Sequence, residues 1–145
     1  MKKIFIVLIL LLSSVVSVSA DTKRIISGNA NAKITIIAYE SLTCSHCANF
    51  HKEVYPQLKK EYIDTGLAKI EFRHFPLDIA AFNASKIAQC KNDQSLEILE
   101  SLYSSQQDWV KGNTVDDINK NLKNFIKKKG FKIDFEKCIN NKIIE

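Results

Sequence analysis

The chain has 145 residues, with 21 Lys and Arg against 16 Asp and Glu for a formal net charge of +5, and 46% of its residues are hydrophobic. That is enough chain for one domain with its own core. The lysines are spread along the sequence rather than gathered among aromatics, so the mild basic balance reads as a solvated exterior and excludes a nucleic-acid footprint.

The chain opens on Met1-Lys2-Lys3, followed by the unbroken apolar run Ile4–Leu12 and a weakly apolar stretch to Ser19. Val18-Ser19-Ala20 supplies modest side chains where a signal peptidase reads. This pattern predicts a secretory signal peptide over residues 1–20, cut after Ala20. The apolar run is short of the roughly 20 residues that a membrane span takes. Export leads to an oxidising compartment, the periplasm, where thiols pair. All four cysteines, Cys44, Cys47, Cys90 and Cys138, lie beyond this segment. They allow two bridges in three connectivities.

Gly28–Ala32 reads as a turn, and Lys33–Glu40 as a β-branched strand buried on both faces. From Ser45 to about Ile63 the spacing predicts a helix with one buried stripe of Cys47, Phe50, Val54, Leu58 and Tyr62. Pro56 is expected to kink it. Asp64-Thr65-Gly66 ends the helix, and Leu67–Phe75 alternates as a second strand with Ala68, Ile70, Phe72 and His74 on one face. Pro76 closes that strand. Helices are predicted over Ile79–Cys90 and Leu96–Tyr103, with Trp109 in a loop or short turn. Thr114 with Asp117 three residues later is a capping signal for a helix to about Lys128. Gly130 stops it, and Phe131–Asn140 reads as a short last helix. A strand–helix–strand unit of this length makes a parallel crossover, so the fold class is α/β followed by a run of helices.

The chemistry centres on Cys44-Ser45-His46-Cys47. At the start of a helix, unpaired N–H groups stabilise negative charge, so a thiolate at Cys44 is favoured. His46 adds a donor and a positive charge near that sulfur. Cys47, one turn further along the apolar stripe, is expected to be the less exposed, resolving thiol. Half of a zinc site and an inert structural bridge are the alternatives. No second Cys or His pair with ligand spacing follows, so no metal is expected. His74 reads as a strand-face histidine with a satisfied hydrogen bond rather than a proton shuttle. Phe82, Tyr103 and Trp109 read as core aromatics rather than a substrate surface.

The segment GNANAKITIIAYESLTCSHCANFHKEVYPQLKKEYIDTG (Gly28–Gly66) resembles the start of DsbA-like thiol:disulfide oxidoreductases of bacterial envelopes, and IEFRHFPLD (Ile70–Asp78) resembles their second strand. The resemblance implies a thioredoxin-like fold with a helical insertion over about 79–140. It implies Cys44 as attacking thiol, Cys47 as resolving thiol, and Ser45 and His46 as residues that tune them. It also implies a structural disulfide between Cys90 and Cys138, with two buried free thiols as the alternative. No cofactor is expected. The implied partners are exported polypeptide thiols and a membrane oxidase that restores the disulfide.

In that family a cis-proline loop faces the cysteine pair, and two strands and a helix close the domain. Pro56 and Pro76 stand elsewhere. The expectation is therefore a fold over residues 21–145 that lacks the closing β-β-α unit, with an open edge on the first predicted strand and weak unfolding cooperativity. The alternatives to an oxidase are an inactive fragment, a binding module using that edge, or a reductase or isomerase of the same family.

Overall fold

A computed structural model describes residues 22–141 of the chain. The signal-peptide segment expected over residues 1–20 lies outside the described residues. A three-stranded sheet carries the fold: β1 (Ile25–Ser27), β2 (Ile34–Glu40) and β3 (Ala68–His74), in the order β1-β3-β2. β2 and β3 run parallel, with Ile36 opposite Ile70 and Glu40 opposite His74. β1 is antiparallel to β3 and places Ile25 opposite Phe72. β1 was not expected from sequence, because three residues give no alternation to read. Behind it, Gly28 takes a φ of +105°, and a Cβ there would meet Ile63 Cγ2 at 2.7 Å. The reversal into β2 therefore requires glycine.

One sheet face is buried. Ile25, Ala68, Ile70 and Phe72 pack there against Tyr55 and Ile63 of the crossover helix. The Tyr55 hydroxyl donates to Ser27 Oγ at 2.8 Å and ties that helix to β1. The expectation of a strand buried on both faces fails for β2: Ile37 is 45% exposed and Tyr39 60%. Among the described residues, helices cover only the face carrying Ile36 and Ala38. The other face is open and holds a polar lattice, in which Glu71 accepts from Arg24 and from Arg73 Nε at 2.7 Å. Arg73 Nη1 also donates to the Tyr39 hydroxyl at 2.8 Å.

The crossover helix, α1, spans residues 45–63 but is not a uniform α-helix. It alternates α-helical Ser45–Asn49, π-helical Phe50–Val54, α-helical Tyr55–Leu58 and π-helical Lys59–Ile63. Pro56 has no N–H to bond the carbonyl four residues back, and the wide π segment lies just before it. Each π turn takes an extra residue, so the buried phase slips. Tyr55 and Ile63 are buried, while Val54 and Tyr62, expected in the core stripe, are exposed.

The remaining helices are α2 (Ile79–Gln89), α3 (Glu97–Ser104), α4 (Gln106–Trp109), α5 (Val115–Lys128) and α6 (Phe135–Ile139). Asp78 caps α2, and Thr114 with Asp117 forms a complete capping box on α5. Trp109 ends the single helical turn α4, in keeping with the expected short turn, and α6 is shorter than the predicted 131–140. Trp109 is fully buried, and its Nε1 donates to the Leu102 carbonyl at 3.0 Å. A disulfide joins Cys90 at the end of α2 to Cys138 in α6, with a Cα–Cα distance of 5.5 Å. Among the described residues no helix is long and apolar enough to cross a membrane.

Candidate functional site

β2 delivers the chain at the end of the sheet where α1 begins. Residues 41–44 make the turn, and Cys44 is the N-cap of α1 with extended backbone angles, φ −78° and ψ 120°. Cys44 and Cys47 are both free, half-buried thiols. They stand three residues apart in the first turn of the helix, close enough for each sulfur to act on the other's titration.

The two thiols are displaced in opposite directions. The backbone N–H of Cys47 beside the Cys44 sulfur, helped by the Cys47 thiol and the His46 N–H, holds Cys44 below the ordinary thiol value. These groups outweigh partial burial and the Glu40 charge, which push the other way. Burial pushes Cys47 up, and the neighbouring Cys44 sulfur and Glu40 add to it, against a single opposing backbone bond from Ser41. Of the four motif residues, Ser45 and His46 are the exposed ones. His46 bears on Cys44 through its backbone N–H.

Sequence reading missed what lies beneath. Glu40, the last residue of β2, is buried, and its Oε2 lies 2.7 Å from His51 Nε2. The two side chains are only 8% and 5% exposed. The His51 ring stacks on Tyr103 of α3, centroids 4.1 Å apart, and sits 5.2 Å from the ring of Phe72. Among the described residues, His51 Nδ1 and the Tyr103 hydroxyl are buried without hydrogen-bond partners. Burial, with the Glu40 carboxylate next, pushes the Tyr103 phenol far above its ordinary range, so it stays protonated. An acidic residue ending an apolar strand, with a histidine eleven positions on, is the only local signal of this pair, and it is weak. His74, opposite Glu40 in the sheet, has Nε2 closed off from solvent and, among the described residues, without a partner, so the satisfied hydrogen bond expected of it is not met at that nitrogen, and burial pushes its ring down to about 4.

Phe82 lies on α2, half-buried, and Cys90 and Cys138 lie in the helical layer, so none of the three belongs to the Cys44 site. Among the described residues no three His, Cys, Asp or Glu side chains converge in a way that could hold a metal ion. A groove of about 700 Å³ runs from Ser45 and Asn49 past Lys52 to Tyr103 and Gln106. What the site can do chemically is favour the thiolate at Cys44 while Cys47 holds its proton more tightly. That is the asymmetry thiol–disulfide exchange needs.

Comparison with known proteins bears on this arrangement. A family model described as thioredoxin matches residues 20–145. The crystal structure of alpha-DsbA1 from Wolbachia pipientis is similar over 83% of this chain and 61% of that one, with 35% identity and a TM-score of 0.73. A protein-disulfide isomerase structure from Novosphingobium aromaticivorans shares the fold at a TM-score of 0.69 and 22% identity, over 85% of this chain and 74% of that one. A Rickettsia bellii protein provisionally named a protein-disulfide oxidoreductase is 35% identical over 94 residues, which are 64% of this chain and 36% of that protein. The chain thus spans about a third of the length of that protein and of a similar one from Rickettsia conorii. With a thioredoxin model running across both the sheet and the helical layer, the chain belongs to the thioredoxin family, as one of its DsbA-like members.

Proposed function

We propose that this chain is an exported thiol:disulfide oxidoreductase that introduces disulfides into other exported polypeptides in the periplasm. The observation that carries the reading is the seat of the pair: Cys44 is the N-cap of α1 and Cys47 lies in its first turn, so helix N–H groups stand beside the first sulfur while burial closes on the second. In the oxidised protein a substrate thiolate attacks Cys44 Sγ. The Cys44–Cys47 bond breaks, and Cys47 leaves with the electron pair and takes a proton. A second substrate thiolate then attacks the substrate sulfur of the mixed disulfide and expels Cys44 as a thiolate, a good leaving group because its charge is already stabilised. The substrate loses two electrons and gains a disulfide, and the protein is left with two thiols. A membrane oxidase accepts those electrons and restores the bond. Ser45 and His46 tune the pair, Cys90–Cys138 is structural, and residues 1–20 direct export.

The test is refolding of a reduced, denatured disulfide protein by the oxidised chain. Wild type restores activity, Cys44→Ser falls to the uncatalysed rate, and Cys47→Ser, loaded beforehand at Cys44 as a mixed disulfide with glutathione, exchanges glutathione for a substrate thiol and accumulates as the mixed disulfide through Cys44. Equal refolding by wild type and Cys44→Ser sinks the proposal. A reductase or isomerase uses the same residues, and the equilibrium with glutathione separates them. An oxidase disulfide is reduced by glutathione far more readily than a reductase disulfide.

A second reading rests on the exposed Ile37 and Tyr39 of β2, whose outer edge pairs with no strand among the described residues. Such an edge accepts a strand from another polypeptide. Under that reading the chain binds unfolded polypeptides independently of Cys44, and Ile37→Lys weakens binding where Cys44→Ser does not.

A further inference from the structure

The turn that presents Cys44 is held by side chains far away in sequence. On one side Thr43 Oγ1 donates to Asp78 Oδ2 at 2.7 Å, while the other Asp78 oxygen accepts from the Ala81 N–H and caps α2. On the opposite side stands Gln106, the first residue of α4. Its Nε2 donates to the Leu42 carbonyl at 2.9 Å and to the Cys44 carbonyl at 3.0 Å. Both protons of the amide are therefore used on the two carbonyls that flank Thr43. Gln106 and Leu42 are buried, so water does not stand in for the lost donors at low cost. The α4 turn is itself fixed, because Trp109 is fully buried and bonded to Leu102.

The Cys44 carbonyl also accepts from the Ala48 N–H at 3.2 Å, in the first turn of α1. Gln106 thus joins the helical layer to the turn whose N–H groups lie beside the Cys44 sulfur. We propose that Gln106 is a positioning residue for Cys44, holding the Leu42 and Cys44 carbonyls so that the Cys44 sulfur stays seated on the first N–H groups of α1. A planar amide with two donors in fixed directions sets the distance and orientation of two acceptors at once. No single hydroxyl in the turn does this. The proposal rests on Cys44 being the attacking thiol, but its consequence is read on the thiol itself.

The experiment is a pH titration of the reduced chain, followed by thiolate ultraviolet absorbance, on wild type, Gln106→Leu, Gln106→Glu and Gln107→Leu. Leucine keeps the bulk without donors, and an ionised glutamate keeps the shape without donors. The expected result is a Cys44 midpoint raised by roughly one unit in both Gln106 variants, about a tenfold loss of thiolate below the midpoint. The exposed Gln107 variant is expected to match wild type. A folded Gln106→Leu chain that is less stable yet titrates at the wild-type midpoint overturns the proposal, since that is what a merely structural glutamine gives. If the Gln106 variants do not fold, nitrogen-15 NMR of the wild-type chain decides. The Gln106 side-chain amide resonances are expected to move with the Cys44 titration, and resonances that stay fixed across it overturn the proposal. A shifted midpoint together with unimpaired refolding by Cys44→Ser leaves Gln106 positioning Cys44 while the exchange function falls.

Discussion

At Cys44 a helix start and a buried carboxylate pull against each other. The N–H groups of Cys47 and His46 favour the thiolate, and the Glu40 charge opposes it. The balance lies with the backbone, because those groups are adjacent to the sulfur and fixed. Removing only the Glu40 charge therefore lowers Cys44 further. Glu40→Gln keeps a polar partner for His51 Nε2 and removes the repulsion. The expected outcome is a Cys44 midpoint lower by a fraction of a unit and a Cys47 midpoint that falls with it, read by thiolate absorbance. A rise in either would show that Glu40 acts on the sulfurs by something other than its charge. The lowered Cys44 value also couples to stability. Between that value and the ordinary 9.0 the unfolded reduced chain carries a proton that the folded one has lost. The folded reduced state is therefore stabilised as pH rises through this window, and the contribution vanishes below the folded value.

Among the elements, the Cys90–Cys138 bridge joins α2 to α6 across a sequence separation of 48 residues. Closing a loop of that length removes unfolded-state entropy worth about 4 kcal/mol in the chain-entropy account. The double variant Cys90→Ala/Cys138→Ala should lose about 2 to 4 kcal/mol in urea denaturation, with Cys44 titrating as before. An unchanged urea midpoint would mean that helix packing alone holds α6. The elements themselves were unevenly legible. The strand Ala68–His74 and the helix opened by Thr114 carry their signals locally, in alternation and in a capping box. In α1 the two π segments hide from a reading at 3.6 residues per turn, which puts Val54 and Tyr62 inside and leaves Tyr55 out. The cysteine pair is legible because both of its features, spacing and helix start, are local. Gln106 is not, since its partners Leu42 and Cys44 are 64 and 62 residues away. Nor is the Glu40–His51 pair, which takes shape only when β2 and α1 pack together.

Across the whole molecule, the sheet separates two kinds of electrostatics. Its open face carries Glu71, where burial is outweighed by Arg73 and Arg24 and the carboxyl is held below its ordinary value. Its covered face ends in His74, which burial pushes down from 6.5 to about 4. Both make the fold acid-sensitive, in different windows. The unfolded chain takes up a proton at His74 once pH falls below about 6.5, and the folded chain does not until about 4. Within that interval the unfolded state binds more protons, so stability declines steadily as pH drops. The full shift corresponds to at most about 3 kcal/mol. Glu71 adds its loss below its ordinary 4.5, where the unfolded chain takes up a proton that the folded carboxylate still refuses, and that loss is complete once the folded carboxylate is protonated. His74→Phe keeps an aromatic ring on the same strand face without the titration. Denaturant unfolding at pH 7 and pH 4.5 is expected to show a marked loss of stability for wild type and a much smaller loss for His74→Phe. Equal losses in the two chains would remove His74 as the source and leave the acid response to the carboxylates of the open face.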